Sequence, residues 1–166
     1  GLRSPVVQRY EVRLAGLPRE MDNTVLVALS DLHLGSLIGK RWLAARISQV
    51  REQRPDLVVF LGDLFEGHGE PEKELLSILR GLSAPLGVWA VTGNHEYYHG
   101  VDAILAEVES LGIRPLANDS VLFGNASGEF NLVGLNDLTG GSFGIRPPDV
   151  AAAFAGVDES KPTIVL

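Results

Sequence analysis

The chain has no cysteine among its 166 residues, which excludes disulfides and thiolate metal sites. Any metal must sit on carboxylate, imidazole, amide or water ligands. No apolar run reaches the roughly 18 residues of a membrane span, and Gly1 to Gln8 carry no apolar segment of a secretory signal. Basic charge is in the minority: a net charge of −7 excludes a surface that coats nucleic acid by bulk electrostatics, and grouped acids suit cations instead. A G-x-G-x-x-G turn after a first strand and a Walker-type G-K-[ST] loop are both missing, which argues against a nucleotide-binding doubly wound domain. There is no internal repeat, low-complexity tract or linker. What is there, 45% hydrophobic and 21% charged residues, describes one globular domain over residues 1–166, and the alternation of apolar strands with amphipathic helices makes its class α/β.

Alternation from Val6 to Leu14 predicts an edge or partly exposed strand. Thr24 to Leu29 and Leu57 to Leu61 are short apolar runs suited to strands covered on both faces, and Gly87 to Val91 is a third. Between them, Leu43, Ile47 and Val50 line one face of a helix from Lys40 to Gln53, with arginines around its solvated side. A second helix is expected from Pro71 to Leu82, with proline first and acids in its opening turn. A third, from Val101 to Leu111, ends at Gly112, a left-handed cap. After that the pattern changes to short meander strands, Arg114 to Leu116, Ser120 to Phe123 and Phe130 to Gly134. A glycine-rich loop from Asn136 to Gly144 and a short helix from Pro148 to Phe154 follow, then a buried-type strand at Thr163 to Leu166.

The first three parallel-type strands each run into a polar cluster. These are Ser30-Asp31-Leu32-His33, Gly62-Asp63 and Gly93-Asn94-His95-Glu96. Asp31, Asp63 and Asn94 recur at intervals of roughly 30 residues, one strand-helix-strand unit each time. Right-handed crossovers bring such strands into one sheet, so the clusters meet at its carboxyl edge, where open α/β sheets hold ligands. A lone aspartate after a strand is ordinarily a turn former or helix cap. Four candidates at equivalent strand ends, Asp31, His33, Asp63 and Asn94, point to a metal site. Their oxygen and nitrogen atoms suit Mn, Fe, Zn or Mg. Two such ions about 3.5 to 4 Å apart, bridged by a carboxylate and a water, generate hydroxide near neutral pH and clamp a phosphoryl group.

The three blocks resemble the D-x-H, G-D-x-x-D/E and G-N-H-D/E motifs of the calcineurin-like metallophosphoesterases, in order and at that family's spacing, over residues 5 to 166. Their flanks, with the later Gly134-Leu135-Asn136-Asp137, are similar to a bacterial branch whose members often carry a membrane anchor or export signal. The resemblance implies the N-terminal part of a β-sandwich flanked by helices. It implies a hydrolase whose metal-bridging hydroxide attacks a phosphoester or pyrophosphate bond, with phosphodiesterase activity included and manganese among the candidate ions. By position, Asp31 and His33 hold the first of two divalent ions, Asp63 bridges, and Asn94 holds the second. His95 stands outside the metal shell, steadying charge on the phosphate or protonating the leaving oxygen. Glu66 and Glu96 orient the ligands.

The family pattern also includes three later histidines, one after a strand like Thr163 to Leu166 and two in a G-H-x-H block beyond. None is in this sequence. The expectation is that this chain is the N-terminal portion of a longer domain, holds metal weakly and is nearly inactive alone, while its parent hydrolyses a phosphorylated small-molecule or lipid-linked substrate. A membrane-associated or exported bacterial parent is expected from the same resemblance, and self-association is expected through the sheet edge beside Thr163 to Leu166. The competing class is a phosphoesterase-like scaffold that has lost catalysis and binds a protein partner. Of the remaining residues, His68 and His99 read as surface histidines. Trp42 and Trp89 read as packing residues, and Tyr97 and Tyr98 either line a pocket or pack over the loop. Asn136-Asp137 either approaches the site from the glycine-rich loop or, beside glycines, is ordinary turn chemistry.

Overall fold

A computed structural model of the chain describes residues 4–35, 38–66, 73–125 and 128–166. Four short strands form a parallel sheet in the order β1 (Leu26–Leu29), β2 (Leu57–Leu61), β3 (Val88–Val91) and β4 (Arg114–Pro115). Three helices serve as crossovers: α1 (Lys40–Glu52), α2 (Lys73–Arg80) and, after a five-residue helix α3 (Asn94–Tyr98), α4 (Val101–Ser110). A second sheet pairs β5 (Asp119–Asn125) antiparallel with β6 (Gly128–Gly134), and β6 parallel with β7 (Thr163–Val165). Two further short helices, α5 (Thr139–Phe143) and α6 (Val150–Phe154), lie between β6 and β7.

Strand alternation sorts the central apolar runs into two cores. Val58, Phe60, Val88 and Ala90 face the helices and pack with Leu43, Ile47, Val50, Leu75, Leu79 and Val108. Leu57, Val59, Trp89 and Val91 face the second sheet and pack with Phe123, Phe130 and Leu132. Trp89 is fixed there, its indole N–H donating to the Leu86 carbonyl at 2.9 Å and its ring edge-on to Phe123. Both faces of β2 are therefore covered, and truncating a buried leucine such as Leu43 or Leu57 to alanine costs about 2–5 kcal/mol.

Several elements depart from the sequence reading. Val6 to Leu14 forms no strand: alternation alone does not supply a sheet edge to pair with, and Tyr10 is 83% exposed. The segment instead runs along the outside of α1, where the Arg9 guanidinium donates to the Gln53 side chain at 2.8 Å. β1 is an outer strand rather than a central one, so Ala28 is exposed. Arg114–Pro115 joins the parallel sheet beside β3 instead of the meander. Gly93-Asn94-His95-Glu96 opens a helix instead of lying in a loop, and a helix also interrupts the glycine-rich stretch after Asn136. β7 is only partly buried, since Val165 is 49% exposed. His68 and the predicted helix start at Pro71 lie outside the described residues.

Candidate metal centre

Asp31 and His33 follow β1, Asp63 follows β2 and Asn94–Glu96 follow β3, so the parallel order places all three turns at one edge of the sheet. The turns after β1 and β2 remain laced together. His33 N–H donates to the Asp63 carbonyl at 2.9 Å, Leu34 N–H to the Leu64 carbonyl at 2.9 Å, and Glu66 N–H to the Leu34 carbonyl at 2.9 Å. Asp31, His33 and Asp63 all have positive φ, of 55°, 45° and 53°. That conformation costs a non-glycine residue of order 1–3 kcal/mol and persists where surrounding contacts enforce it.

Two glycines let the second and third turns touch backbone to backbone. A Cβ on Gly62 would lie 2.4 Å from the Gly93 nitrogen, and one on Gly93 would lie 2.3 Å from Asp63 Oδ1. Glu96, 3% exposed, locks this contact. Its carboxylate accepts from the N–H groups of Asp63 at 2.9 Å, Leu64 at 2.9 Å and Gly93 at 2.7 Å.

The side chains meet in front of this frame. His33 Nε2 lies 3.7 Å from Asp31 Oδ1 and 3.8 Å from Asp63 Oδ2. His33, Asp63 and His95 each offer a ligand atom within 4.8 Å of the others. The carboxylate separations are too long for hydrogen bonds, yet close to the roughly 3.4 Å between two donors on one tetrahedral ion with bonds near 2.1 Å. The donor set and its spacing therefore fit a divalent cation. The ring of His33 is edge-on to that of His95 with centroids 4.5 Å apart, and Glu66 Oε2 is 3.8 Å from His33 Nδ1. Asp63 divides its oxygens: Oδ1 accepts from the His95 N–H at 2.9 Å, while Oδ2 faces His33. Asp31 is exposed and takes a hydrogen bond from the Ser30 hydroxyl. Asn94 is the first residue of α3, between Gly93 and His95.

A strap from Asn136 to Arg146 borders this site. Asn136 is buried, and the Asp137 N–H donates to Thr92 Oγ1 at 3.0 Å, directly before Gly93. The Tyr97 hydroxyl and the Asn136 side-chain amide both donate to the Arg146 carbonyl, at 3.0 and 3.1 Å. Burial is the main cause that pushes the Tyr97 hydroxyl above its ordinary pKa, with the Asp137 charge adding to it, against the lowering effect of Thr92. The strap thus seats α5 against α3. Tyr97 holds it, while Tyr98 points outward, its ring 5.6 Å from His95 and 5.9 Å from Phe143. His99, expected on the surface, is partly buried, with its ring 6.1 Å from His95. The signal in the sequence was the Asn136-Asp137 pair, which does not by itself distinguish a loop that approaches the site from an ordinary turn.

Comparison with known proteins now gives the class. Residues 24–161 match the family described as calcineurin-like phosphoesterase, and the chain belongs to that family. It is 33% identical over 166 residues to an uncharacterized metallophosphoesterase of Helicobacter pylori (strain ATCC 700392 / 26695), covering all of this chain and 43% of that protein. It is 30% identical over 161 residues to one of Aquifex aeolicus (strain VF5), covering 96% of this chain and 60% of the relative. To a Bos taurus protein named as a transmembrane protein with a metallophosphoesterase domain it is 31% identical over 172 residues, covering 98% of this chain and 38% of that one. The chain spans less than two thirds of the length of each of these relatives.

Proposed function

We propose that this chain carries the N-terminal ligand set of a metal-dependent phosphohydrolase that cleaves a phosphoester or pyrophosphate bond. The observation that carries the reading is the convergence of His33, Asp63 and His95 at the ends of parallel strands. Asp31, His33 and Asp63 bind one divalent ion, and Asp63 and Asn94 a second. When bound, the ions supply an activated water and neutralise phosphoryl charge. His95, anchored through its N–H on Asp63, faces the phosphate and gives a proton to the leaving oxygen. Glu66 steadies the His33 ring and Glu96 fixes the turns that carry the ligands.

With only two protein ligands on the second ion, this chain binds metal weakly alone and turns over slowly, and a further stretch of protein completes the centre. The greater length of the relatives supports this. A membrane-associated parent is in keeping with the printed name of the Bos taurus relative, although no described helix here is long and apolar enough to cross a membrane. A bare scaffold that binds a protein partner has no use for the convergent His33, Asp63 and His95 side chains.

The test is hydrolysis of an aryl phosphodiester with added Mn by a polypeptide of the relatives' length that includes this chain. Asp63→Ala and His95→Ala are expected to lower the rate by at least about a hundredfold, and equal rates in all three would favour the scaffold. Calorimetry showing two tight Mn or Zn sites on the 166-residue chain would overturn the incomplete-centre proposal.

A further inference from the structure

We infer that the side of the site beyond His95 is a subsite for a planar ring in the leaving group, formed by Tyr98 and Phe143. This rests on the phosphohydrolase reading, because His95 as the proton donor to the leaving oxygen fixes the side on which that group departs.

Four rings run outward from the metal ligands. His33 to His95 is 4.5 Å between centroids, His95 to Tyr98 is 5.6 Å, and Tyr98 to Phe143 is 5.9 Å. His95 and Tyr98 are three residues apart on α3 and share a face of it. The two outer rings are 55% and 49% exposed, whereas the neighbouring Tyr97 is 6% exposed and spent on the strap. Exposed apolar side chains that form one patch, as these two rings do, mark interaction sites.

This pair is held. The strap is pinned at Thr92, Tyr97 and Asn136, the Asn118 amide donates to the Pro147 carbonyl at 2.8 Å, and Arg146 Nε donates to Asp102 at 2.6 Å. With Arg146 engaged by Asp102, the run from His95 to Phe143 consists of rings, whose faces and edges suit stacking on a planar ring. The substrate class that results is a phosphoester whose leaving alcohol carries an aryl or nucleobase ring near the ester oxygen.

The experiment, on a polypeptide of the relatives' length that includes this chain, compares an aryl ester with a fluoroalkyl ester of matched leaving-group acidity. KM for the aryl ester is expected to rise about tenfold in Tyr98→Ala and in Phe143→Ala, with kcat nearly unchanged and the fluoroalkyl ester unaffected. Tyr98→Phe is expected to behave as the wild type. Hydrolysis of both esters with equal effects of the variants, or none, overturns the subsite and leaves the phosphohydrolase reading standing. Where neither ester is hydrolysed, that reading fails, and the subsite is judged by binding alone. In Mn-containing buffer phenylphosphonate is expected to bind the wild type about tenfold more tightly than methylphosphonate. Tyr98→Ala is expected to remove the difference, and equal binding of the two by the wild type overturns the subsite.

Discussion

The carboxylate of Glu96 accepts the backbone N–H of Asp63 at 2.9 Å, across 33 residues of sequence. The turn that carries Asp63 is thereby tied to the helix that begins with Asn94. Glutamine at position 96 keeps one acceptor oxygen but turns an amide NH2 toward backbone donors. Glu96→Gln is expected to cost about 2–3 kcal/mol of stability and about 10–100-fold in metal affinity. Urea denaturation and Mn titration measure the two, and unchanged affinity would show that the turns hold their shape without the clamp.

Gly93→Ala places a methyl group 2.3 Å from Asp63 Oδ1 and 2.7 Å from the Asp63 nitrogen. The neighbouring turn must shift, and metal affinity is expected to fall at least as far as in Glu96→Gln. Gly141→Ala, where a Cβ meets nothing within 4 Å, is the matched control and is expected to leave both stability and binding close to the wild type.

Asn131, 1% exposed in β6, organises the approach to β7. Its amide donates to the Asp158 carbonyl at 2.9 Å and to Thr163 Oγ1 at 3.2 Å, and its oxygen accepts from the Asp158 N–H at 3.1 Å. Asn131→Ala removes all three bonds and leaves the Asp158 N–H without its acceptor, and is expected to cost about 1–3 kcal/mol. Hydrogen exchange should quicken at residues 158–166 while the protection of β2 and β3 is retained.

The Asp158 carboxylate accepts from the hydroxyl and N–H of Ser160, which hold its pKa below the ordinary carboxylate value. A lowered folded pKa means a contribution to stability that is present above the unfolded value of about 3.9 and lost as pH falls through the folded one. Asp158→Asn is therefore expected to be less stable than the wild type at neutral pH and equal to it in strong acid. Denaturation midpoints at several pH values check this, and a gap that persists in acid would assign the effect to geometry instead of charge.

An open apolar trough of about 490 Å³ runs between the sheets, lined by Leu26, Ala28, Leu61, Val91, Ile164 and Leu166. Among the described residues β7 pairs only with β6. The chain is expected to self-associate with rising concentration in sedimentation experiments, and Val165→Lys on the half-exposed outer strand is expected to suppress this.

Much of the fold was written in local pattern. Leu43, Ile47 and Val50 recur at helical spacing and are the buried face of α1, and Gly112 ends α4 with φ of 81° as its position implies. The motif residues His33, Asp63 and His95 meet because parallel strands of similar length leave their ends in register. What local pattern does not encode is partnership. Val6 to Leu14 alternates without an edge to join, and Arg114–Pro115 is too short to announce the strand it completes. The strap from Asn136 to Arg146 depends on contacts with Thr92 and Tyr97 more than 40 residues away in sequence, so nothing within it marks its seat.

The left-handed backbone at Asp31, His33 and Asp63 sets a condition on anyone who wishes to transplant this centre into another parallel-sheet protein. Copying the side chains onto ordinary strand ends would aim them elsewhere. A recipient scaffold would have to import whole turns, together with the glycine pair and the glutamate that hold them in place.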